Sequence, residues 1–197
     1  NKRAAGNSQE SEDESLVLNN KLERLLTLYH NIFMDSEEFG LYDEWRWPSF
    51  ANDLGVSNCT ARRYINELIK TGRIKKEDDC DNCYYLRNEK FTSLEEINIY
   101  IRGKEEQWLE TGHFTSESRR LLHLIRLIGW VDLFLQYGKI LESEINQFYT
   151  NKSEKRTVQR DFEFLKEVKS IPLNIKRQKI SSKEKGLIKW FYVAHDE

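Results

Sequence analysis

The sequence predicts a mainly α chain with small β-hairpins, in which one layout of elements occurs twice. Three observations carry that expectation. Two long stretches, 16–33 and 116–136, keep apolar residues at helical spacing. Each is followed by a short helix, a second amphipathic helix, and then two apolar-rich segments around a polar tip, the pattern of a hairpin. The two layouts also match in register, because Thr60 and Thr157 occupy equivalent places, an offset of 157 − 60 = 97. That offset pairs Ala61 with Val158, Ile65 with Phe162, Leu68 with Leu165 and Arg63 with Arg160.

Length and composition agree with two small domains. At 197 residues, with 39% hydrophobic and 12% aromatic residues, the chain can fill real cores. A charged fraction of 32% and a mean hydropathy of -0.73 imply much surface per unit volume. The expected units are a disordered tail over 1–15, a first domain over 16–90, a connector over 91–115 and a second domain over 116–197.

Taken in order, Leu18, Leu22, Leu25, Leu26, Tyr29 and Phe33 define the first long helix. An acidic loop over 35–44 leads to Trp45–Trp47, which reads as a short strand, and Pro48 opens a short helix over 49–54. Gly55 ends that helix and Ser57 caps the next, which runs from Asn58 to Lys70 on an Ala61/Ile65/Leu68 stripe. Residues 73–76 and 83–87 flank an acidic turn over 77–82. The connector reads equally as a helix through Leu94, Ile97, Tyr100 and Ile101 or as a strand at 98–101.

The second half opens on a long helix with Leu121, Leu124, Ile125, Ile128, Val131 and Leu135 along one face. Leu122, Leu127, Trp130 and Phe134 widen that face, so it packs on two sides, against the first half or a second subunit. Lys139–Leu141 follows as a strand and 143–149 as a short helix. The helix over 155–166 buries Val158, Phe162 and Leu165 and turns Arg156, Gln159 and Arg160 outward. Strands at 171–175 and 187–193 enclose a basic tip over 176–186. Long helix, short strand, short helix, turn, helix and hairpin is the order of a winged helix-turn-helix, here twice in tandem.

Charge is distributed unevenly behind a net value of -2. Residues 16–103 hold 12 basic and 15 acidic side chains, whereas 152–189 hold 12 basic and 5 acidic. A basic C-terminal third points to a polyanion partner there. Guanidinium groups suit guanine edges and phosphates, and glutamine suits adenine. The candidate DNA contacts are therefore Lys155, Arg156, Thr157, Gln159 and Arg160, with the wing residues Lys176, Arg177, Lys179, Lys183 and Lys185. In the first half they are Asn58, Arg62, Arg63 and Asn66, beside an acidic wing tip that repels phosphate, so this copy either contacts DNA through its helix or serves as a dimerisation or partner module.

The segment Arg156-Thr157-Val158-Gln159-Arg160-Asp161-Phe162, with Phe164-Leu165-Lys166, resembles the recognition helix of DeoR-like winged helix-turn-helix domains. In particular it is similar to those at the N-termini of WYL-type bacterial regulators. Ile171-Pro172-Leu173 and Trp190-Phe191-Tyr192 resemble that family's wing strands, and Leu54-Gly55-Val56-Ser57 with Thr60, Arg62, Arg63, Ile65 and Leu68 resembles the same motif more loosely. The departures are Glu154 where the family has its capping serine, Tyr64 where it has an aspartate, a long basic wing tip, and no WYL domain after the second copy. The resemblance implies a sequence-specific double-stranded DNA-binding transcriptional regulator, a repressor. Two other readings stay open: a plasmid or phage replication initiator binding origin repeats, and a winged-helix protein-interaction module that binds no DNA. The long helices over 18–33 and 118–136 offer a homodimer contact.

Other chemistry finds little support. Cys80-Asp81-Asn82-Cys83 has metal-knuckle spacing without a second pair, so neither a metal nor another cofactor is expected. The histidines form no constellation with a nucleophile, and an enzyme is not expected. No apolar run reaches the ~20 residues of a membrane span, and Cys59, Cys80 and Cys83 are too few for a disulfide framework. A cytoplasmic protein without membrane contact is the expectation. The start at Asn1, without methionine, reads as a fragment or a processed chain.

Overall fold

The computed structural model describes residues 20–34, 47–80, 83–181 and 188–195. It is mainly helical. The described residues 20–34 are helical throughout (α1), and the further helices are α2 Trp47–Asp53, α3 Asn58–Lys70, α4 Leu94–Glu110, α5 Ser116–Tyr137, α6 Glu142–Phe148 and α7 Lys152–Glu167. The strands are β1 Ile74–Cys80, β2 Cys83–Asn88, β3 Lys139–Leu141, β4 Asn174–Ser181 and β5 Ile188–His195. β1 and β2 form an antiparallel pair, and the other three form an antiparallel sheet in the order β3-β5-β4. The expected disordered tail over 1–15, the acidic loop over 35–44 and the strand residues Trp45 and Arg46 lie outside the described residues.

Local chemistry fixes where the helices start. Gly55 takes a left-handed φ of 61°, which lets the chain leave α2 and re-enter at Ser57. The Ser57 hydroxyl then accepts the Thr60 amide at 3.2 Å and caps α3. α7 begins a turn earlier than its apolar stripe suggested. Asn151 is the cap: its side chain accepts the Glu154 amide at 2.9 Å, and the Glu154 carboxylate accepts the Asn151 amide at 3.1 Å and that of Thr150 at 2.8 Å. Glu154 is therefore the returning member of a capping box rather than a substitute for a missing serine.

One open alternative is decided and three expectations are corrected. The connector is a helix for most of its length, capped by Ser93, whose hydroxyl accepts the Glu96 amide at 3.1 Å. Trp47 belongs to α2 and not to a strand. The acidic residues Glu77, Asp78 and Asp79 lie in β1, with Cys80 opposite Cys83 in register, and the turn residues Asp81 and Asn82 lie outside the described residues. Ile171 and Leu173 alternate like strand residues and are both buried, yet the Leu173 amide bonds the Ile171 carbonyl at 2.7 Å in a tight turn. The strand starts only at Asn174 and runs on to Ser181, through most of the expected tip.

One core serves both halves. α1 contributes Leu22, Leu25, Leu26, Tyr29 and Phe33, and α5 contributes Leu124, Ile125, Ile128, Val131, Trp130 and Phe134 to the same buried cluster. The two sides of α5 are covered from within the chain. Gly129 faces α4 so closely that an added Cβ would stand 2.6 Å from Ile97 Cδ1. On the α1 side, Tyr29 donates its hydroxyl to Asp132 Oδ1 at 2.6 Å, while the Phe91 amide donates to Oδ2 at 2.8 Å. Asp132 is fully buried, and burial pushes its pKa up to about 7 against the opposing pull of those two hydrogen bonds and of the Arg73 and Lys90 charges. The offset of 97 also holds in burial: Ala61 and Val158, Ile65 and Phe162, Leu68 and Leu165, Thr71 and Val168, and Ile74 and Ile171 are all buried.

Candidate nucleic-acid interface

α7 is held by one face and leaves the other free. Val158, Phe162 and Leu165 are buried as their spacing predicts, and so is Asp161 between them. The Phe162 ring meets Trp130 edge-on at 5.1 Å, Phe134 at 5.5 Å and Tyr192 of β5 at 4.9 Å. Contacts of this kind contribute about 0.5–1.5 kcal/mol each beyond burial. They fix the helix to both α5 and the sheet.

Asp161 supplies direction to that docking. Arg126 Nε donates to its Oδ2 at 2.5 Å and Nη2 to its Oδ1 at 3.1 Å, while Trp130 Nε1 donates to Oδ2 at 3.1 Å. His123 Nε2 lies 3.1 Å from Oδ1. Burial alone would raise the carboxyl's pKa, but the hydrogen bonds from His123 and Arg126 and their charges outweigh it, and the pKa is lowered. A carboxylate this well satisfied locks the rotation of α7 about its own axis.

With that rotation set, Lys155, Arg156, Gln159 and Arg160 are exposed. Thr157 is half-buried, and its hydroxyl donates to the Ser153 carbonyl at 3.0 Å. Arg156, Gln159 and Arg160 border an open groove of about 580 Å³ that also touches Leu22, His123 and Phe164. Lys166 pairs with Glu163 at 2.8 Å at the far end of this face.

The hairpin β4–β5 extends from the same half. Lys176, Arg177 and Lys179 are exposed on β4. Arg177 also has partners within the chain: its guanidinium donates to both Glu142 carboxylate oxygens at 2.9 and 3.1 Å and lies 4.0 Å above the Trp190 ring. It therefore fastens the hairpin to the start of α6. Lys183 and Lys185 lie outside the described residues.

In the first half, Asn58, Arg62, Arg63 and Asn66 are exposed along α3, next to the exposed thiol of Cys59. Arg63 Nη2 donates to Thr60 Oγ1 at 3.2 Å. At its outer edge α3 is tied down by Lys21 to Glu67 at 2.8 Å and by Lys70 to Glu117 at 3.3 Å.

Sequence reasoning missed the supports of this surface. Asp161 and Asp132 each sit at apolar spacing inside an otherwise hydrophobic stripe, and a carboxylate there must find a buried donor. That signal was readable; the identity of the donors, Arg126 and Tyr29, was not. The chain matches no family model, and no curated protein and no solved structure matches it.

Proposed function

We propose that the chain is a sequence-specific double-stranded DNA-binding regulator of transcription built from two tandem winged helix-turn-helix domains, with α7 as the principal reader. The observation that carries this is the α7 surface: one face locked to α5 through Asp161, the other presenting Lys155, Arg156, Gln159 and Arg160 to solvent. The sheet order β3-β5-β4, with a short helix before α7 and a hairpin after it, is the arrangement that a winged helix requires. Lys176 and Lys179 on the hairpin supply the phosphate contacts that set position, and the helix supplies base contacts that set sequence. Repression follows from occupying an operator. A homodimer through α1 and α5 has less support than the sequence offered, since those faces cover each other within one chain.

A second reading, a protein-docking module, draws on α4. Ile99 and Leu109 stand 64% and 57% exposed there, which suits a protein partner. Selection of bound duplexes from a random DNA library separates the two. The regulator recovers a defined motif, and Arg160→Ala weakens its binding by about 1–3 kcal/mol. Failure to retain any duplex at low salt removes the DNA reading and leaves the docking module.

A further inference from the structure

On α4, Ile99, Arg102, Glu106 and Leu109 are all exposed, and their spacing of three, four and three residues is that of a heptad seam. At about 100° per residue the four fall within an arc of roughly 80°. That arc is turned away from the face on which Leu94 and Ile97 are buried. The seam is apolar at both ends and charged in the middle. Neither the Arg102 nor the Glu106 side chain makes a hydrogen bond or ion pair with another described residue. Gly103 lies beside them, and a Cβ built there would meet nothing within 4 Å. A glycine inside a helix weakens it, and the packing within the chain does not require this one. What it permits is the close approach of another backbone.

We infer that α4 pairs with α4 of a second copy of this chain, antiparallel, about a two-fold axis beside residue 104. In that register Ile99 meets the partner's Leu109, and Arg102 meets the partner's Glu106. Each layer occurs twice, because a two-fold contact is isologous. Gly103 falls next to the axis, where the two helices come closest. Charge sets the direction. A parallel pair in register would put Arg102 on the partner's Arg102 and Glu106 on the partner's Glu106. The antiparallel pair joins opposite charges in both central layers. α4 holds five acidic and two basic side chains, and in this register no acidic one stands opposite another. The seam is about 15 Å long, short of a standard protein interface, so the dimer dissociates on dilution. This pairing holds whatever α3 and α7 bind.

The test is sedimentation equilibrium of the full chain over a wide range of concentrations. The weight-average mass is expected to rise from 23.6 kDa toward twice that value. Arg102→Glu and Glu106→Arg, each alone, put like charges in both central layers and hold the mass at that of the monomer. Mixing these two variants joins opposite charges again, so a heterodimer forms although neither variant pairs with itself. Ile99→Asp removes the apolar end layers and also gives a monomer. All three positions are exposed, so circular dichroism of each variant matches the parent. A parent mass constant at 23.6 kDa overturns the self-pairing and leaves α4 to a different protein. A dimer that survives all three single variants overturns it by placing the contact elsewhere. Mixed charge variants that stay monomeric overturn the antiparallel register.

Discussion

Arg126 on α5 holds Asp161 on α7 through two parallel hydrogen bonds, Nε to Oδ2 and Nη2 to Oδ1, with Trp130 donating a third. Both partners are largely withdrawn from water, so removing one leaves the other uncompensated. Asp161→Ala is expected to lower stability by about 3 kcal/mol in urea unfolding. Asp161→Asn, which keeps an acceptor for Trp130, is expected to lose less. A lowered folded pKa means that this contribution is present above the unfolded carboxylate value of about 3.9 and disappears as the pH falls through the folded value. Acid unfolding of the wild type therefore includes an Asp161 component that the alanine variant lacks.

The β4–β5 hairpin offers a contrast between cations on one strand. Lys176 and Lys179 are exposed, while Arg177 is held by Glu142 and stacked on Trp190. Each lysine that neutralises a phosphate adds about 0.9 to the magnitude of the slope of log affinity against log salt. Changing Lys176 and Lys179 together to alanine is expected to flatten that slope by roughly 2. Arg177→Ala is expected to change it far less and instead to loosen the hairpin, seen as faster amide exchange along β4. Equal slopes for the double variant and the parent would remove the wing from the phosphate backbone.

Asp132 predicts an unusual pH response. Its folded pKa, raised to about 7, exceeds the unfolded value of about 3.9, so the folded state holds the proton more tightly between those values. Stability from this group is full below about 4 and falls as the pH rises toward 7. Asp132→Asn removes the titration, and the difference in unfolding free energy between variant and parent should change with pH across that window. A difference that is flat from pH 4 to 7 would show that Asp132 is ionised throughout.

Legibility in the sequence depended on whether a residue's partner was local. The buried faces of α3 and α7 were readable, because Ala61, Ile65 and Leu68, like Val158, Phe162 and Leu165, meet the core at helical spacing. Lys139–Leu141 was read as a strand and is one, following Gly138, whose φ of 68° ends α5. α4 was not, since it buries only Leu94 and Ile97 in its first turns and leaves Ile99 and Leu109 in solvent, which breaks the period. Ile171 and Leu173 imitated a strand because a turn can bury alternate residues too. At the candidate site, the exposed arginines of α7 were legible as a face. The diversion of Arg177 was not, since Glu142 lies 35 residues away.

The capping box at the start of α7 bears on how that helix would meet a polyanion in the reading proposed above. Helix N-termini ordinarily attract phosphate, through unpaired amides and the positive end of the helix dipole. Here Asn151 occupies the Glu154 amide, and the Glu154 carboxylate sits over the amides of Thr150 and Asn151. The cap leaves the Glu154 amide unavailable to an anion, while the exposed Lys152 and Lys155 on either side keep the turn basic. In the DNA-binding reading proposed above, phosphate contacts near this end would come from the exposed Lys152 and Lys155 side chains rather than from the Glu154 amide.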